Sequence, residues 1–247
     1  MTKITFLGTA SVIPDKNQQN THFIIESDSR TILVDCVGNP VVRLDQAGID
    51  PLAITDIFLT HFHPDHVSGV PLLLIDLWLM GRKRPLNLYG LHDVMDRTEK
   101  MMTLFEWQNW HGFYPVVFNG LPEEGISHID MGDVRVETSL VCHMIPALGF
   151  RMTFEGGTLC YSSDTGSCEE VIELARGADF LIHEATGESD GHSSAEEAGE
   201  IAQKAGVRTL YLIHYPPRSD KQALIQRAKT TFSGEVIAAE DLMSFSF

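Results

Sequence analysis

Residues 60–69 read THFHPDHVSG, and within them His61, His63, Asp65 and His66 form an H-x-H-x-D-H pattern. Imidazole and carboxylate are ligands that zinc and other divalent transition metals accept, and three or four of them on one ion leave a position open for water. The pattern follows the apolar run Ile57-Phe58-Leu59, read as the end of a buried strand, so a rigid element releases these side chains into a loop where they can converge. A polar loop with incidental histidines is the alternative. It is disfavoured because three of the chain's 11 histidines crowd into one hexamer.

One such loop cannot fully coordinate two ions, and three later residues share its context. His143 follows Ser139-Leu140-Val141-Cys142, Asp164 follows Leu159-Cys160-Tyr161-Ser162-Ser163, and His214 follows Leu210-Tyr211-Leu212-Ile213. Each alone reads as an ordinary polar residue at a strand end. Their recurrence beside the histidine loop makes all three candidate metal ligands.

The elements that must position these residues are legible from periodicity and breakers. Short apolar segments at 3–7, 22–26, 31–34, 54–59 and 86–89 read as strands. Val41, Val42, Leu44 and Ala47 have helical spacing, with Gly48 as the stop. Residues 66–80 read as one buried helix ended at Gly81, with its N-terminus at the metals, and 94–107 as another helix. From residue 116, segments at 116–118, 126–129, 134–140, 147–154 and 158–161 are broken by Gly, Pro and Asp and indicate mostly antiparallel strands. Helices at 168–176, 193–205 and 220–229 then alternate with strands at 180–182, 209–213 and 236–238. Strands, helices, strands, helices in that order predict an α+β fold, two sheets face to face with helices outside, in four layers αββα. The aromatic residues Phe105, Trp107, Trp110, Phe113 and Tyr114 read as core packing rather than as a substrate pocket.

Composition sets outer bounds. The chain of 247 residues, 43% of them hydrophobic, is read as one domain over 1–247, since no low-complexity linker or repeat divides it. Eighteen Lys and Arg against 34 Asp and Glu give a formal charge of −16, which argues against a large nucleic-acid footprint. Cys36, Cys142, Cys160 and Cys168 lack CxxC spacing, so neither a zinc ribbon nor a disulfide framework is expected. No signal peptide or membrane span is read, and a reduced, cytoplasmic setting is the expectation.

The motifs HFHPDH at 61–66, His143, Asp164 in SSDTG and His214 in IHYPPR resemble the successive metal motifs of the metallo-β-lactamase superfamily. The ribonuclease Z branch is the nearest match: FLGTASVIP at 6–14, VDC at 34–36, LTHFHPDHVSGVPLLL at 59–74, LIHEAT at 181–186 and HSSAEEAGEIA at 192–202 fall in that branch's order. The resemblance implies the metallo-β-lactamase fold and two divalent metal ions, zinc first with manganese or iron as alternatives. His61, His63 and His143 would hold one, and Asp65, His66 and His214 the other. Asp164 would bridge them with a water or hydroxide that serves as nucleophile. It further implies that Asp65 helps remove a proton, and that Glu184 and His192 act near the leaving group with His192 as proton donor. Asp35 and His22 are candidate partners that orient ligand imidazoles. His183, His111, His92 and His128 are read as structural or exposed. Related proteins are often homodimers.

The chain departs from the branch in two places. Only residues 144–163 separate His143 from Asp164, room for a hairpin around Glu155-Gly156-Gly157 and not for the tRNA-gripping arm. Cys36 is followed by Val37-Gly38-Asn39-Pro40 in place of the branch's glycine and glutamate. The expectation is therefore a metal-dependent hydrolase of a small ester, a phosphodiester first, with sulfate esters and lactones chemically accessible. A ribonuclease Z-like 3′-tRNA endonuclease and a non-catalytic metal-binding module are the alternatives.

Overall fold

The computed structural model describes residues 1–247. Strands β1 (Lys3–Gly8), β2 (His22–Glu26) and β3 (Thr31–Val34) are apolar on both faces because both faces are covered. Ile4, Phe6, Phe23, Ile25, Ile32 and Val34 point to one core, and Leu7, Ile24 and Leu33 to another. That is the alternation of side chains along a strand buried between two layers. Strands β4 (Asp56–Phe58), β5 (Leu86–Leu91) and β6 (Val116–Leu121) extend this first sheet in parallel from β3, whereas β1, β2 and β3 pair antiparallel.

The second sheet repeats the plan. Strands β7 (Ser127–Asp130), β8 (Arg135–Val141), β9 (Ala147–Phe154) and β10 (Gly157–Tyr161) pair antiparallel in sequence order. Strands β11 (Phe180–Glu184), β12 (Thr209–Ile213) and β13 (Glu235–Ala238) then add in parallel. The chain's last strand, β14 (Ser244–Ser246), returns to the first sheet and pairs antiparallel with β1. Between the sheets lie Phe6, Phe23, Phe58, Phe150, Tyr161, Phe180 and Tyr211.

Helices α1 (Pro40–Gln46), α2 (Pro64–Val67), α3 (Val70–Leu79) and α4 (His92–Leu104) share the core on the outer face of the first sheet through Leu44, Val67, Leu73, Leu74, Leu77 and Met95. Helices α5 (Glu169–Ala175), α6 (Ala195–Ala205) and α7 (Lys221–Ala228) cover the second through Val171, Leu174, Ala198, Ile201, Leu224 and Ala228. The four-layer αββα arrangement expected from the element order is the one observed. No helix is long and apolar enough to cross a membrane.

Two expectations are corrected. The helix read over 66–80 is two helices, α2 and α3, broken at Ser68 and Gly69. A β-carbon on Gly69 would sit 2.8 Å from the backbone of Val37, and Gly69 N donates to Cys36 O at 2.8 Å. This close approach to the segment after β3 ends the first helical turn. The second correction is β14, which the sequence pattern did not predict. The aromatic cluster packs as expected except at one end: Trp78 stacks on Trp110 with centroids 5.7 Å apart, Trp107, Trp110 and Phe113 are partly buried against the core, and Tyr114 is buried with its hydroxyl on Leu74 O at 3.2 Å, but Phe105 is exposed and no part of the core.

Candidate active site

Parallel strands end together, so β3, β4, β10, β11 and β12 release their following residues at one edge of the sandwich, the usual place for a site in sheets of this kind. Asp35 follows β3, Thr60 and His61 follow β4, Asp164 follows β10, Glu184 closes β11 and His214 follows β12. Backbone bonds tie the two sheets across this edge, Leu148 N to Thr60 O at 3.0 Å and Ser11 N to Tyr215 O at 3.2 Å. Pro64 fixes the local path of the histidine loop. It starts α2 and holds the preceding His63 extended, at φ −88° and ψ 148°. Asp35, Ser163 and His214 all adopt left-handed backbone, with φ of 57°, 57° and 53°. Such conformations cost on the order of 1–3 kcal/mol each and persist where surrounding structure enforces them. Here each one aims a polar segment at the same edge.

The seven candidate ligands meet. His61 Nε2 lies 3.0 Å and His143 Nε2 3.2 Å from His63 Nδ1, so three imidazole nitrogens face one point. On the other side, His66 Nε2 and His214 Nε2 each lie 3.7 Å from Asp65 Oδ2. Asp164 Oδ2 sits between the two groups, 3.3 Å from His66 Nε2, 3.4 Å from His214 Nε2 and 3.9 Å from His61 Nε2. In each trio, His61/His63/His143 and Asp65/His66/His214, the potential ligand atoms fall within 4.8 Å of one another.

The donor set fits a divalent cation. His66 Nε2, His214 Nε2 and Asp164 Oδ1 are buried with no hydrogen-bond partner, and an unsatisfied buried polar atom costs roughly 1–3 kcal/mol. Three of them at one place require a common partner. The far side of each ring is already occupied: His66 Nδ1 lies 2.7 Å from Asp35 Oδ2, His143 Nδ1 2.8 Å from Gly191 O, His214 Nδ1 2.8 Å from Thr186 Oγ1, and His61 Nδ1 3.0 Å from Thr60 Oγ1. Those bonds place the ring hydrogens on Nδ1 of His66 and His143 and leave Nε2 lone pairs facing the site.

Titration follows the same geometry. Burial pulls His61 well below the usual imidazole range, and burial together with neighbouring imidazoles lowers His63 and His143. They are neutral, as metal ligands must be. Burial also disfavours charge on His66, but the carboxylates of Asp164 and Asp35 outweigh it and hold that ring well above its usual value. Asp164 is the converse: burial opposes its ionisation, and the His214 and His66 imidazoles bring it well below the carboxylate range. The carboxylates thus favour positive charge beside Asp164, and a divalent ion bound at His66 Nε2 would take the place of that ring's second proton, leaving the Nδ1 hydrogen on Asp35.

Glu184 is fully buried. Its Oε1 accepts from Ser193 N at 3.0 Å and Thr165 N at 3.2 Å and lies 2.9 Å from His192 Nδ1; its Oε2 accepts from Thr186 N at 2.8 Å. Glu184 therefore meets no surface cation, and His192 does not cap the helix that follows it. Ser194 caps α6 instead, through a reciprocal capping box with Glu197. His192 packs edge-on to His143 at 5.1 Å and stacks on His214 at 5.7 Å. Its partial burial lowers the ring's affinity for a proton, but the bond to Glu184 and that carboxylate's charge prevail and raise it.

Asp35 takes the place expected of it, against His66, and also accepts from Thr60 N at 2.9 Å. His22 does not: its Nδ1 bonds Asn20 O at 2.8 Å and no hydrogen bond links it to the centre. His183 is buried, while His92, His111 and His128 are exposed. Sequence reasoning missed Thr60 and Thr186. Their signal was position alone, one residue before His61 and two after Glu184. Above the centre opens a cavity of about 260 Å³ lined by Ser11, Val12, Met144, Thr186 and His192 beside the ligands, with no lysine or arginine on its wall.

A sequence profile for the beta-lactamase superfamily domain matches residues 30–215. The chain belongs to the beta-lactamase superfamily. Within the superfamily, ribonuclease Z of Methanothermobacter thermautotrophicus is 29% identical over 302 aligned positions that take in 99% of this chain and 96% of the relative. Those positions outnumber the 247 residues here, so the relative carries segments this chain lacks. Among solved structures, the metallo-beta-lactamase fold protein YhfI from Bacillus subtilis superposes with a TM-score of 0.85 at 23% identity, covering 99% of this chain and 98% of that one. Human tRNase Z, short form, superposes with a TM-score of 0.82 at 25% identity, again covering 99% and 98%. The expected metallo-β-lactamase fold and the likeness to the ribonuclease Z branch are borne out.

Proposed function

We propose that the chain is a dinuclear metal-dependent hydrolase of small phosphodiesters. The observation that carries the proposal is the position of Asp164, whose Oδ2 lies 3.3 to 3.9 Å from imidazoles of both ligand trios. His61, His63 and His143 would hold one ion, Asp65, His66 and His214 the other, with Asp164 shared. The imidazole and carboxylate donors suit zinc first, then manganese or iron. Bound divalent ions would supply an activated water and neutralise charge growing on the attacked phosphoryl group.

The protein's own residues do the rest. Asp35, Thr60, Thr186 and the Gly191 carbonyl fix the ring orientations. Asp65, at the rim of the second trio, is placed to take a proton from the attacking water. His192, held by Glu184 at 2.9 Å, carries a proton for the departing alkoxide, which an unassisted leaving group of high pKa would otherwise retain as costly negative charge. The same pair speaks against a purely metal-binding module, which has no use for a histidine held at the mouth with its affinity for a proton raised.

The mouth supports a small substrate. Val12 and Met144 are exposed on it, and the cavity wall lacks cationic side chains. A phosphodiester with one negative charge and apolar substituents suits such a wall; a polyanion needs a row of cations. The β9–β10 turn consists of Glu155 and Gly156 alone, so no arm projects between His143 and Asp164. The second reading, cleavage of a precursor tRNA, rests on the likeness to proteins named ribonuclease Z. Metal-loaded protein is expected to turn over a bis-aryl phosphodiester and to leave a precursor tRNA with a 3′ trailer uncut. No turnover across phosphodiester, aryl sulfate and lactone panels would overturn the hydrolase reading, and specific 3′ cleavage would replace the small substrate with RNA.

A further inference from the structure

Two of the four cysteines, 26 positions apart in sequence and without a motif between them, are brought together beside the active centre. Cys142 directly follows β8, is exposed, and precedes His143; Cys168 is the half-buried residue from which α5 departs. The sulfur atoms of both and a carboxylate oxygen of Glu170 lie within 4.8 Å of one another, and neither cysteine is in a disulfide. We propose that Cys142, Cys168 and Glu170 form a further cation site, separate from the imidazole centre, for a thiophilic divalent ion of the zinc and cadmium class.

Hydrogen bonds to Thr165 and Gly166 hold the Cys142 backbone in place, and the Cys168 thiol meets the same threonine. Cys142 N donates to Thr165 Oγ1 at 3.1 Å, Gly166 N donates to Cys142 O at 2.7 Å, and Thr165 Oγ1 lies 3.5 Å from Cys168 Sγ. Preorganisation of this kind removes part of the ordering cost of binding. Two sulfur donors select a soft ion over magnesium or calcium, and with one carboxylate they leave a fourth tetrahedral position to water. Glu169 and Glu170 on the first turn of α5 and a formal charge of −16 favour a cation there. Exposed Cys142 gives the ion its way in. Binding releases two thiol protons to solvent and forms two metal–sulfur bonds, with no change of oxidation state. The ion would clasp the segment carrying His143 to the one carrying Asp164, adding to the links that Thr165 and Gly166 make to Cys142.

Cadmium titration of zinc-saturated protein, freed of excess metal, tests the site. The thiolate-to-cadmium charge-transfer absorption arises only from sulfur ligands, so it reports this site whether the imidazole centre holds two ions, one or none. A saturable band at one cadmium per chain is expected, lost in Cys142→Ser and in Cys168→Ser. Glu170→Gln should weaken binding about tenfold, while Glu169→Gln, with the same charge change outside the cluster, should stay within about twofold. Three results would overturn the site: no band, a band that survives both serine variants, or fewer than four titratable thiols in the denatured, freshly purified protein, which would mean a disulfide instead. Glu170 is exposed, so its substitution leaves the core intact and tests the site even if a serine variant fails to fold.

Discussion

Asp35→Asn removes one charge from a buried spot and changes almost no volume, yet it should cost the centre much of its metal affinity. In the native site the two carboxylate oxygens serve two different donors: Oδ2 faces His66 Nδ1 at 2.7 Å and Oδ1 accepts from Thr60 N at 2.9 Å. An amide has one acceptor oxygen, so one of these donors must face its NH₂ group. If that donor is His66, the ring has to move its hydrogen to Nε2, and the lone pair that faces the centre is lost. If it is Thr60 N, two donors are pressed together in a fully buried position, at about 1–3 kcal/mol. The first outcome corresponds to roughly a 10- to 100-fold loss of metal affinity, the range typical for groups that orient ligand imidazoles, whereas the second is borne with or without metal and shows as lost stability. Competition against a chromophoric chelator measures it, with circular dichroism as the check on folding. An affinity within about twofold of the native protein, in a folded variant, would refute the reasoning that Asp35 sets the His66 tautomer.

Three further outcomes follow from the same geometry. His192→Ala should retain the metals and slow diesters with poor leaving groups by on the order of 100-fold or more while sparing good ones; equal slowing in a leaving-group series would remove its role as proton donor. Glu184 holds the His192 ring above its usual range, and an acid that must carry its proton loses activity as pH rises through its pKa, so Glu184→Gln should move the alkaline limb of the kcat profile to lower pH. An unmoved limb would detach Glu184 from the proton. Gly69→Ala would push a β-carbon to 2.8 Å from the Val37 backbone and should cost about 1–3 kcal/mol, at some 2–4 °C of Tm per kcal/mol; an unchanged Tm would show that the α2–α3 break has room to relax.

The candidate ligands were legible because their signal is local. His61, His63, Asp65 and His66 announce themselves by spacing, and His143, Asp164 and His214 each stand just past an apolar strand whose register is easy to read. Partners set by distant approach were not. Gly69 reads as a residue in mid-helix until the backbone of Val37 is known to lie against it. Strand β14 is three residues long, and its pairing with β1 joins the two ends of the chain. Thr60 and Thr186 carry no chemistry of their own and matter only through the rings they hold. His22 shows the opposite failure, a histidine in the right stretch whose ring turns to Asn20. Cys142 and Cys168 meet only because β8 and α5 deliver their ends to the same place.

On the proposed function, residues from both sheets would cage a pair of cations around Asp164. Anomalous diffraction from crystals of zinc-loaded protein, recorded on both sides of the metal's absorption edge, tests it most directly. At the imidazole centre two peaks should appear, one against His61, His63 and His143 and one against Asp65, His66 and His214, about 3.5–4 Å apart as is usual for two-metal hydrolytic centres. A single peak, or none within reach of Asp164, would contradict the account.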